Sequence, residues 1–450
     1  MEIKLKLKIN WLNIIFSKDF LDYLELETLK EVSLTSKLVR EKINPRLFKK
    51  VMLSSNIFEF EFKDNIFIEC INQYLYPESY NGTSIDGYNH LNSLSVENGL
   101  NDYICTLNDI KKFVKSLYYE DAKKSEYYLF PIVNIFDNLT FLRLDCCIVP
   151  FAAFYKLDET LVSLKNLEIN HVTLYKLPDD NINSDQITLP SNLSCLDFRY
   201  CMLASSKLLF DPYKFILNQN LHDNCGKFNL PVISLPSLKK LAYFNYEDVY
   251  EEVESFLAIN PNLESLIIES FDLNLIKELN SLKCLELDTI SQLNTDSQIP
   301  SLEYIERLSV NIVNPECYEK IKLLCLLCLN LEYLSFYMGD SEYVKDSIDN
   351  FLLPLASSLP LLKTLKLVFG SSKDDLDFSM FTNIESLIID TESFTILDLN
   401  FETCAKLKKI EFISYLGEVN TQEFKDKFDS YKNWIFKFYS NTIKGYRINY

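Results

Sequence analysis

The sequence predicts an α/β fold: a solenoid shaped as a horseshoe, with parallel strands on its concave face and a short helical module at its N-terminus. Three observations predict it. An apolar hexad recurs eleven times along the chain, proline stands just before several copies, and two helical stripes lie within the first 50 residues. Because no single copy can bury its own leucines, successive copies must stack into a continuous core.

The N-terminal module, predicted over residues 10–53, has two apolar stripes with helical spacing. The first stripe consists of Leu12, Phe16, Phe20 and Leu24. The second consists of Leu29, Val32, Val39 and Ile43. Thr28 and Glu31 have the spacing of a capping box, and Asn44-Pro45 is a turn signal. The second stripe is therefore predicted to form a single helix that begins at the capping box and ends at Asn44-Pro45. The alternative is an ordinary helical cap that shields the first strand of the solenoid.

Residues 54–137 form the least regular part of the chain. The stretch 77–101 is rich in Asn, Ser and Gly and is predicted to be a mobile loop. Weak copies of the hexad, Phe48-Val51-Leu53 and Leu91-Leu94-Val96, extend the pattern toward the N-terminus.

The hexad has the form apolar-x-x-apolar-x-apolar and dominates residues 138–415. Its copies begin at Leu139, Leu164, Leu193, Leu238, Leu263, Leu282, Ile305, Leu331, Leu362, Ile384 and Leu407. Most starts lie 19 to 31 residues apart, close to the length of one strand plus a return segment. The single step of 45 residues predicts a hidden, degenerate copy. Leu302 is as good a start as Ile305, so two registers stay open there.

Proline marks the ends of the predicted return helices. Prolines 190, 236, 261, 300 and 360 each stand just before a hexad. Proline lacks a backbone donor and disfavours helix in the residue before it. Return helices are predicted from apolar stripes around Val253, Leu324 and Ile348, and residues 416–450 are predicted to cap the array.

Charge and composition exclude several classes of function. The chain of 450 residues has a net charge of −19: residues 1–50 have 11 Lys/Arg against 7 Asp/Glu, and the remainder has 34 against 57. Such an acidic surface repels phosphates, so no nucleic-acid partner is predicted. The longest apolar run is too short for a membrane span, and no membrane contact is predicted. Twelve scattered cysteines without a secretory leader indicate reduced thiols and a cytoplasmic or nuclear location.

The residues of a catalytic or metal site are not evident, so no enzyme activity, cofactor or metal is predicted. The three histidines, His90, His171 and His222, are not near a spaced cysteine pair. Cys325-x-x-Cys328 has ligand-like spacing, but it lies in a leucine-rich stretch without a second pair and is interpreted as part of a helical core. Glycine-rich nucleotide loops are also absent.

These patterns resemble two known families. The hexads resemble the leucine-rich repeat family, in which an Asn or Cys three residues after the third apolar position bonds the loop backbone; Cys147 and Cys201 fit that position, whereas Phe271, Ile290 and Tyr415 do not. The N-terminal module resembles the F-box. The residues that carry this second resemblance are Leu12, Phe16, Phe20, Leu24, Leu29, Val32, Ser36, Lys37, Val39 and Phe48. The positions that depart from the F-box pattern are Asn13, Thr28, Thr35 and Val39.

The combined resemblance implies the substrate receptor of a Skp-cullin-F-box ubiquitin ligase. In that family the helical module binds a Skp-family adaptor, and through it a cullin, while the repeats bind a protein substrate. The receptor has no bond chemistry of its own and positions a substrate lysine. Two other classes stay open: a structural adaptor that works without ubiquitination, and a repeat-only interaction protein with an unrelated cap.

Candidate substrate contacts follow from strand geometry, because side chains that alternate with the core positions point to the other face of the sheet. The predicted contacts are Arg143, Arg199, Glu269, Glu286, Asp288, Arg307, Tyr333 and Tyr337. Tyr and Arg are common among interface hot spots, which favours Arg307, Tyr333 and Tyr337 as anchors. The acidic cluster Glu269, Glu286 and Asp288 favours a basic partner segment.

Overall fold

The structure is a computed structural model, and it confirms the α/β class. It describes residues 17, 20–21, 24–54, 93–120, 126–177, 180, 186–205, 225–245, 251–269, 276, 278–288, 290, 301–311, 315–338, 344–370, 376–392, 399–401 and 404–448. The chain divides into two compact units, Met1–Ser237 and Leu238–Tyr450. Each unit contains helices and a mostly parallel sheet.

The N-terminal unit begins with a helix pair, α1 (Leu26–Leu34) and α2 (Lys37–Leu47). The single helix predicted from the Thr28/Glu31 capping box is therefore wrong. Glu25 is the N-cap of α1 and makes no side-chain cap bond, whereas Ser36 caps α2, because its Oγ accepts the Val39 N–H at 3.2 Å. Serine at an N-cap satisfies one of the amides left free at a helix start.

The remaining elements of the N-terminal unit alternate short strands with short helices. The strands are β1 Lys50–Ser54, β2 Ser116–Glu120, β3 Phe141–Asp145, β4 Ile148–Pro150, β5 Asn166–Asn170, β6 Thr173–Lys176, β7 Cys195–Arg199, β8 Met202–Ser205 and β9 Cys225–Lys227. The helices are α3 Ser93–Asn108, α4 Glu126–Leu129, α5 Phe151–Phe154 and α6 Leu157–Thr160, with a 3₁₀ helix at Phe130–Ile135. The order β1-β2-β3-β5-β7 forms the hexad sheet of this unit, and all its pairs are parallel.

A second sheet, β4-β6-β8-β9, was not predicted. It is reached through Cys146, His171 and Tyr200, which follow three successive hexad strands and have positive φ of 52°, 49° and 50°. A non-glycine residue in this region turns the chain sharply at a local energetic cost. The same turn in three places sends the chain from the hexad sheet into the second sheet each time.

Two predictions for the irregular region need correction. Helix α3 includes residues 93–101, so this part of the predicted loop 77–101 is helical, as is the predicted strand copy at Leu94 and Val96; residues 77–92 lie outside the described residues. The step of 45 residues contains β8 and β9, both of the second sheet, and the described residues add no hexad strand there. Strand β2 is instead a twelfth copy, Val114-Leu117-Tyr119, whose three side chains are buried.

The C-terminal unit also alternates short strands with short helices. Its strands are β10 Lys240–Phe244, β11 Ser265–Ile268, β12 Cys284–Leu287, β13 Arg307–Asn311, β14 Tyr333–Tyr337, β15 Thr364–Phe369, β16 Leu376–Asp377, β17 Ser386–Thr391, β18 Leu399–Asn400, β19 Lys409–Ser414, β20 Trp434–Phe438 and β21 Thr442–Arg447. Its helices are α7 Glu251–Ile259, α8 Tyr318–Leu327, α9 Val344–Ser347, α10 Leu353–Ser357 and α11 Gln422–Phe428, with a 3₁₀ helix at Pro315–Cys317 and a π-helix at Ile348–Leu352. The sheet order is β10-β11-β12-β13-β14-β15-β17-β19-β21-β20; strands β10 to β19 pair in parallel, and β21 and β20 are antiparallel.

All eleven predicted hexads form strands, and their three apolar positions are buried in every copy. Equivalent leucines pair across the sheet, as in Leu334 with Leu365 and Leu365 with Leu387. The open register is settled in favour of Ile305, because Leu308 and Val310 are buried, whereas Arg307 is exposed. The predicted return helices are also present, and α7 and α10 end just before Pro261 and Pro360.

Lysine or glutamate occupies the second hexad position in each hexad of the C-terminal unit, and residues on neighbouring strands form ion pairs there. The ion pairs are Lys239–Glu264, Lys283–Glu306, Lys363–Glu332 and Lys408–Glu385, with N–O distances of 2.9, 3.5, 2.6 and 2.8 Å. These side chains are about half exposed, so each pair contributes at most about 1 kcal/mol. We call these eight residues the charge ladder.

The predicted cap, residues 416–450, contains α11 and the antiparallel hairpin β20–β21. Its core is aromatic: Trp434 packs edge-on against Phe401 at 5.4 Å, and Phe428 lies 4.7 Å from Phe436. Gly445 allows this packing, since a Cβ there would come within 2.5 Å of Phe436 and 2.7 Å of Ile410.

Candidate functional site

The helix pair has its own apolar core. Leu21, Leu29, Val39 and Ile43 are buried together, with Leu24, Val32 and Leu47 packed against them. Leu29 and Val39, predicted as adaptor contacts, therefore hold α1 against α2. Phe20, Ser36, Lys37 and Phe48 are exposed or half-buried, and Leu12 and Phe16 lie outside the described residues.

Four apolar side chains of this module do face solvent. Leu34 and Leu38 are 71% and 50% exposed, and Leu26 and Phe20 are exposed as well. We call these four residues the exposed apolar patch. Leu26, Leu34 and Leu38 were not predicted as contacts, because their helical positions could be assigned only after the break between α1 and α2 was known. An apolar patch on a small module is typical of a protein-binding surface.

The outer face of the hexad sheet in the N-terminal unit, the face opposite the buried hexad leucines, is rich in internal ion pairs. Arg143 contacts Asp145 at 2.5 Å and Glu168 at 3.8 Å, while Arg199 makes two bonds to Asp197 at 2.6 and 2.9 Å. Burial alone would raise the pKa of Asp145, but the hydrogen bond and charge of Arg143 outweigh it, so this pKa is lowered. Both predicted arginines are thus already engaged within the chain.

The predicted acidic cluster lies on two neighbouring strands of the C-terminal unit. Asp288 follows β12, and its N–H donates to the Ile268 carbonyl at 3.1 Å, which brings it beside Glu269. The Asp288 carboxylate accepts a hydrogen bond from the Asn311 side chain. Glu286 is exposed. The three carboxylates therefore share one region of the outer face, as the sequence predicted.

Two of the three predicted anchors come together, and the third lies further along the strand of one of them. Arg307 and Tyr333 are register partners on β13 and β14, and the Arg307 guanidinium stacks on the Tyr333 ring at 3.9 Å. Tyr337 lies on the same face of β14 and is half exposed. Within the described part of the chain, Arg307 has no ion-pair partner, so its charge is available to a ligand.

Sequence reasoning missed the residues beside these anchors. Asp390 is only 2% exposed although it lies on the outer face of β17; its Oδ2 contacts Lys366 Nζ at 2.8 Å and accepts the Tyr415 hydroxyl at 3.0 Å. Burial lowers the pKa of Lys366, but Asp390 outweighs it and the net shift is upward. Burial and the bond to Asp390 raise the pKa of Tyr415. An aspartate, a lysine and a tyrosine so far apart in sequence give no local signal.

Four buried cysteines have structural roles. Cys325 and Cys328 are buried at the end of α8, and burial raises the pKa of Cys328 to about 12. Cys147 donates to the carbonyls of Tyr119 and Asp145, and Cys201 to those of Ile169 and Arg199, which confirms the predicted loop bonds. In the described residues, no group of His, Cys, Asp and Glu side chains is arranged to hold a metal ion.

The chain matches no protein-family model and no curated protein. Among the helices that the structure describes, none has both the length and the apolar character needed to cross a bilayer.

Proposed function

We propose that this protein is the substrate-recognition subunit of a Skp-cullin-F-box type ubiquitin ligase in the cytoplasm or nucleus, and that its hexads form a solenoid. The observation that carries the proposal is the order of elements: a compact helix pair with the exposed apolar patch directly precedes β1, the first strand of the hexad sheet. Such an arrangement supplies two protein-binding surfaces, one for an adaptor and one for a substrate. The helix pair binds a Skp-family adaptor, and the outer face of the sheet binds the substrate.

Replacing Leu34 and Leu38 by aspartate should reduce recovery of a Skp-family adaptor with the full-length chain by at least about tenfold, since two buried leucines at an interface contribute roughly 1.5–3 kcal/mol each. Co-purification measures it. Val162→Asp is the matched control, because Val162 is 60% exposed and lies far along the chain from the helix pair. These point variants are sharper than a truncation at residue 53, which would remove β1 from the sheet. Undiminished recovery would refute the assignment of the helix pair as an adaptor site.

A triple substitution of Arg307, Tyr333 and Tyr337 by alanine should abolish substrate capture and leave adaptor recovery unchanged. The three side chains lie on one face of two neighbouring strands, Arg307 makes no ion pair within the described residues, and truncating a hot-spot residue costs about 2 kcal/mol or more. Quantitative mass spectrometry of co-purified proteins measures both partners in one experiment. If all partners are retained, substrate recognition does not use these three residues.

Ubiquitination of a captured partner, assayed with the reconstituted ligase, separates the proposed receptor from a structural adaptor. A receptor positions its substrate for transfer, so the captured protein should be modified only when adaptor and substrate surfaces are both intact. A stable complex that remains unmodified would assign the chain to the structural class.

A further inference from the structure

Strand β20 is the outermost strand of the C-terminal sheet among the described residues. Two hydrogen bonds, one at each end of the hairpin, show which residues of β20 bond β21. The Tyr439 N–H donates to the Thr442 carbonyl, and the Ile448 N–H donates to the Asn433 carbonyl. In an antiparallel pair, residues alternate between bonding the partner strand and facing away from it. The backbone groups of Ile435 and Lys437 therefore bond β21, and those of the alternating residues face away from it.

The outward-facing backbone groups belong to Trp434, Phe436 and Phe438. The Trp434 N–H is already used, because it donates to the Tyr431 carbonyl at 3.1 Å. The N–H and C=O groups of Phe436 and Phe438 are thus directed to the open side of the sheet. A row of this kind is the template to which an extended peptide adds as a further strand.

The side chains beside this edge are apolar and accessible. Ile435 is 55% exposed on the outer face, with Tyr439 and Tyr446 also exposed, and Phe436 and Phe438 are only half-buried on the inner face. An added strand would cover both sets. Natural sheets protect their edges with charge, and in β20 the only charged residue is Lys437.

The charge of the hairpin indicates which strand fits. Strands β20 and β21 carry Lys437, Lys444 and Arg447 and no carboxylate, in a chain whose net charge is −19. Lys444 is paired with Glu411 at 3.0 Å, and Arg447 donates to the carbonyls of Cys404, Ala405 and Leu407. Lys437 makes no ion pair within the described part of the chain.

We infer that β20 is a docking edge for an extended segment of a partner protein in which apolar and acidic residues alternate. The backbone of that segment would bond Phe436 and Phe438, its acidic side chains would face Lys437, and its apolar side chains would extend the inner aromatic face. A second copy of this chain fits less well, because pairing two β20 strands would bring two Lys437 side chains together with no carboxylate in either strand. This inference does not depend on the proposed ligase function.

The test uses the full-length chain and a ten-residue peptide of alternating valine and glutamate. Amide hydrogen exchange should show new protection at Phe436 and Phe438, while the amides of Ile435 and Lys437, which already bond β21, should change little. Fluorescence anisotropy gives the affinity. Lys437→Glu should weaken binding about fivefold, in line with one exposed charge pair, and Lys437→Arg should bind like the wild type.

Two control peptides isolate the backbone and the charge. The same peptide N-methylated at alternate residues cannot bond the edge, and a valine–lysine peptide has the wrong charge; both should fail to protect Phe436 and Phe438. Protection by the N-methylated peptide, or none by the valine–glutamate peptide, would overturn the inference. Protection that instead rises with protein concentration alone, together with a doubled mass in light scattering, would assign the edge to a second copy and equally overturn it.

Discussion

Replacing Leu365 or Leu285 by alanine is expected to lower the free energy of unfolding by about 2–5 kcal/mol, the range for leucines removed from tightly packed cores. Both side chains are at most 1% exposed, and Leu365 lies between Leu334 and Leu387 in the sheet register. Each truncation leaves a cavity between neighbouring strands that the packed sheet cannot close. Because coupling in stacked arrays is mainly between neighbours, the loss of protection should be greatest in the adjacent strands.

Chemical denaturation measures the total cost, and hydrogen exchange shows where it falls. Leu361→Ala is the matched control: Leu361 precedes the same hexad and is 45% exposed, so its loss should change stability by about 0.5 kcal/mol at most. If Leu365→Ala behaves like this control, the leucines of the hexad do not form the core.

Lys366→Met is expected to cost about 3 kcal/mol, because it leaves the buried Asp390 carboxylate with only the Tyr415 hydroxyl as a donor. Asp390 Oδ1 has no hydrogen-bond partner in the described residues, so Oδ2 is the only oxygen stabilised there. The cost should fall at the lower end of the range for a broken buried pair, since the Lys366 side chain keeps 26% of its exposure.

Two further variants identify the cause. Lys363→Met breaks an ion pair in the same strand region in which both side chains are 51% exposed, and it should cost less than about 1 kcal/mol. The double variant with Lys366→Met and Asp390→Asn removes the buried charge and should recover most of the loss. Equal costs for the two lysine variants, measured by urea denaturation, would show that burial of Asp390 is not what makes Lys366 important.

The decrease in the free energy of unfolding above pH 10 provides an independent check on the role of Lys366. The pKa of Lys366 is raised in the folded chain, so its contribution is complete below its ordinary pKa of about 10.4 and is lost as pH rises through the higher folded value. The raised pKa of Tyr415 acts in the same direction. Because the charge of Lys366 by itself lowers the pKa of Tyr415, the comparison is made with Tyr415→Phe in both chains; the chain that keeps Lys366 should lose stability more steeply above pH 10 than the one with Lys366→Met.

Much of the hexad sheet could be predicted because burial leaves a periodic record in sequence. Leucine at fixed spacing located all eleven strands of the main hexad series to within a few residues, whereas the weak copy at Leu94 and Val96 is helical. Strand β2 was missed because only its middle position, Leu117, is a leucine: the copy begins with Val114 and ends with Tyr119, whose hydroxyl donates to the Leu129 carbonyl at 2.9 Å. A side chain whose polar atom is satisfied locally can occupy a core position without looking apolar.

The candidate site was predictable only in part. Arg307 and Tyr333 stand one hexad apart at equal positions, so strand register brings them together. Asp390 and Tyr415 meet through the turn after β19, whose geometry has no signature in a hexad pattern. The second sheet was missed for a similar reason: its strands are short, and the positive φ at Cys146 and its equivalents is not a residue choice that sequence rules anticipate.

The charge ladder affects how the chain tolerates the loss of hexad segments. Signs alternate from Glu332 through Lys363 and Glu385 to Lys408. Deleting the one hexad segment that carries Lys363 would place Glu332 beside Glu385, two like charges. Deleting two consecutive segments would place Glu332 beside Lys408 and restore an attractive pair. Although each contact contributes little to stability, within these four strands the loss of two segments should be better tolerated than the loss of one. The pattern does not extend to the whole ladder, because Glu306 and Glu332 on neighbouring strands have the same charge.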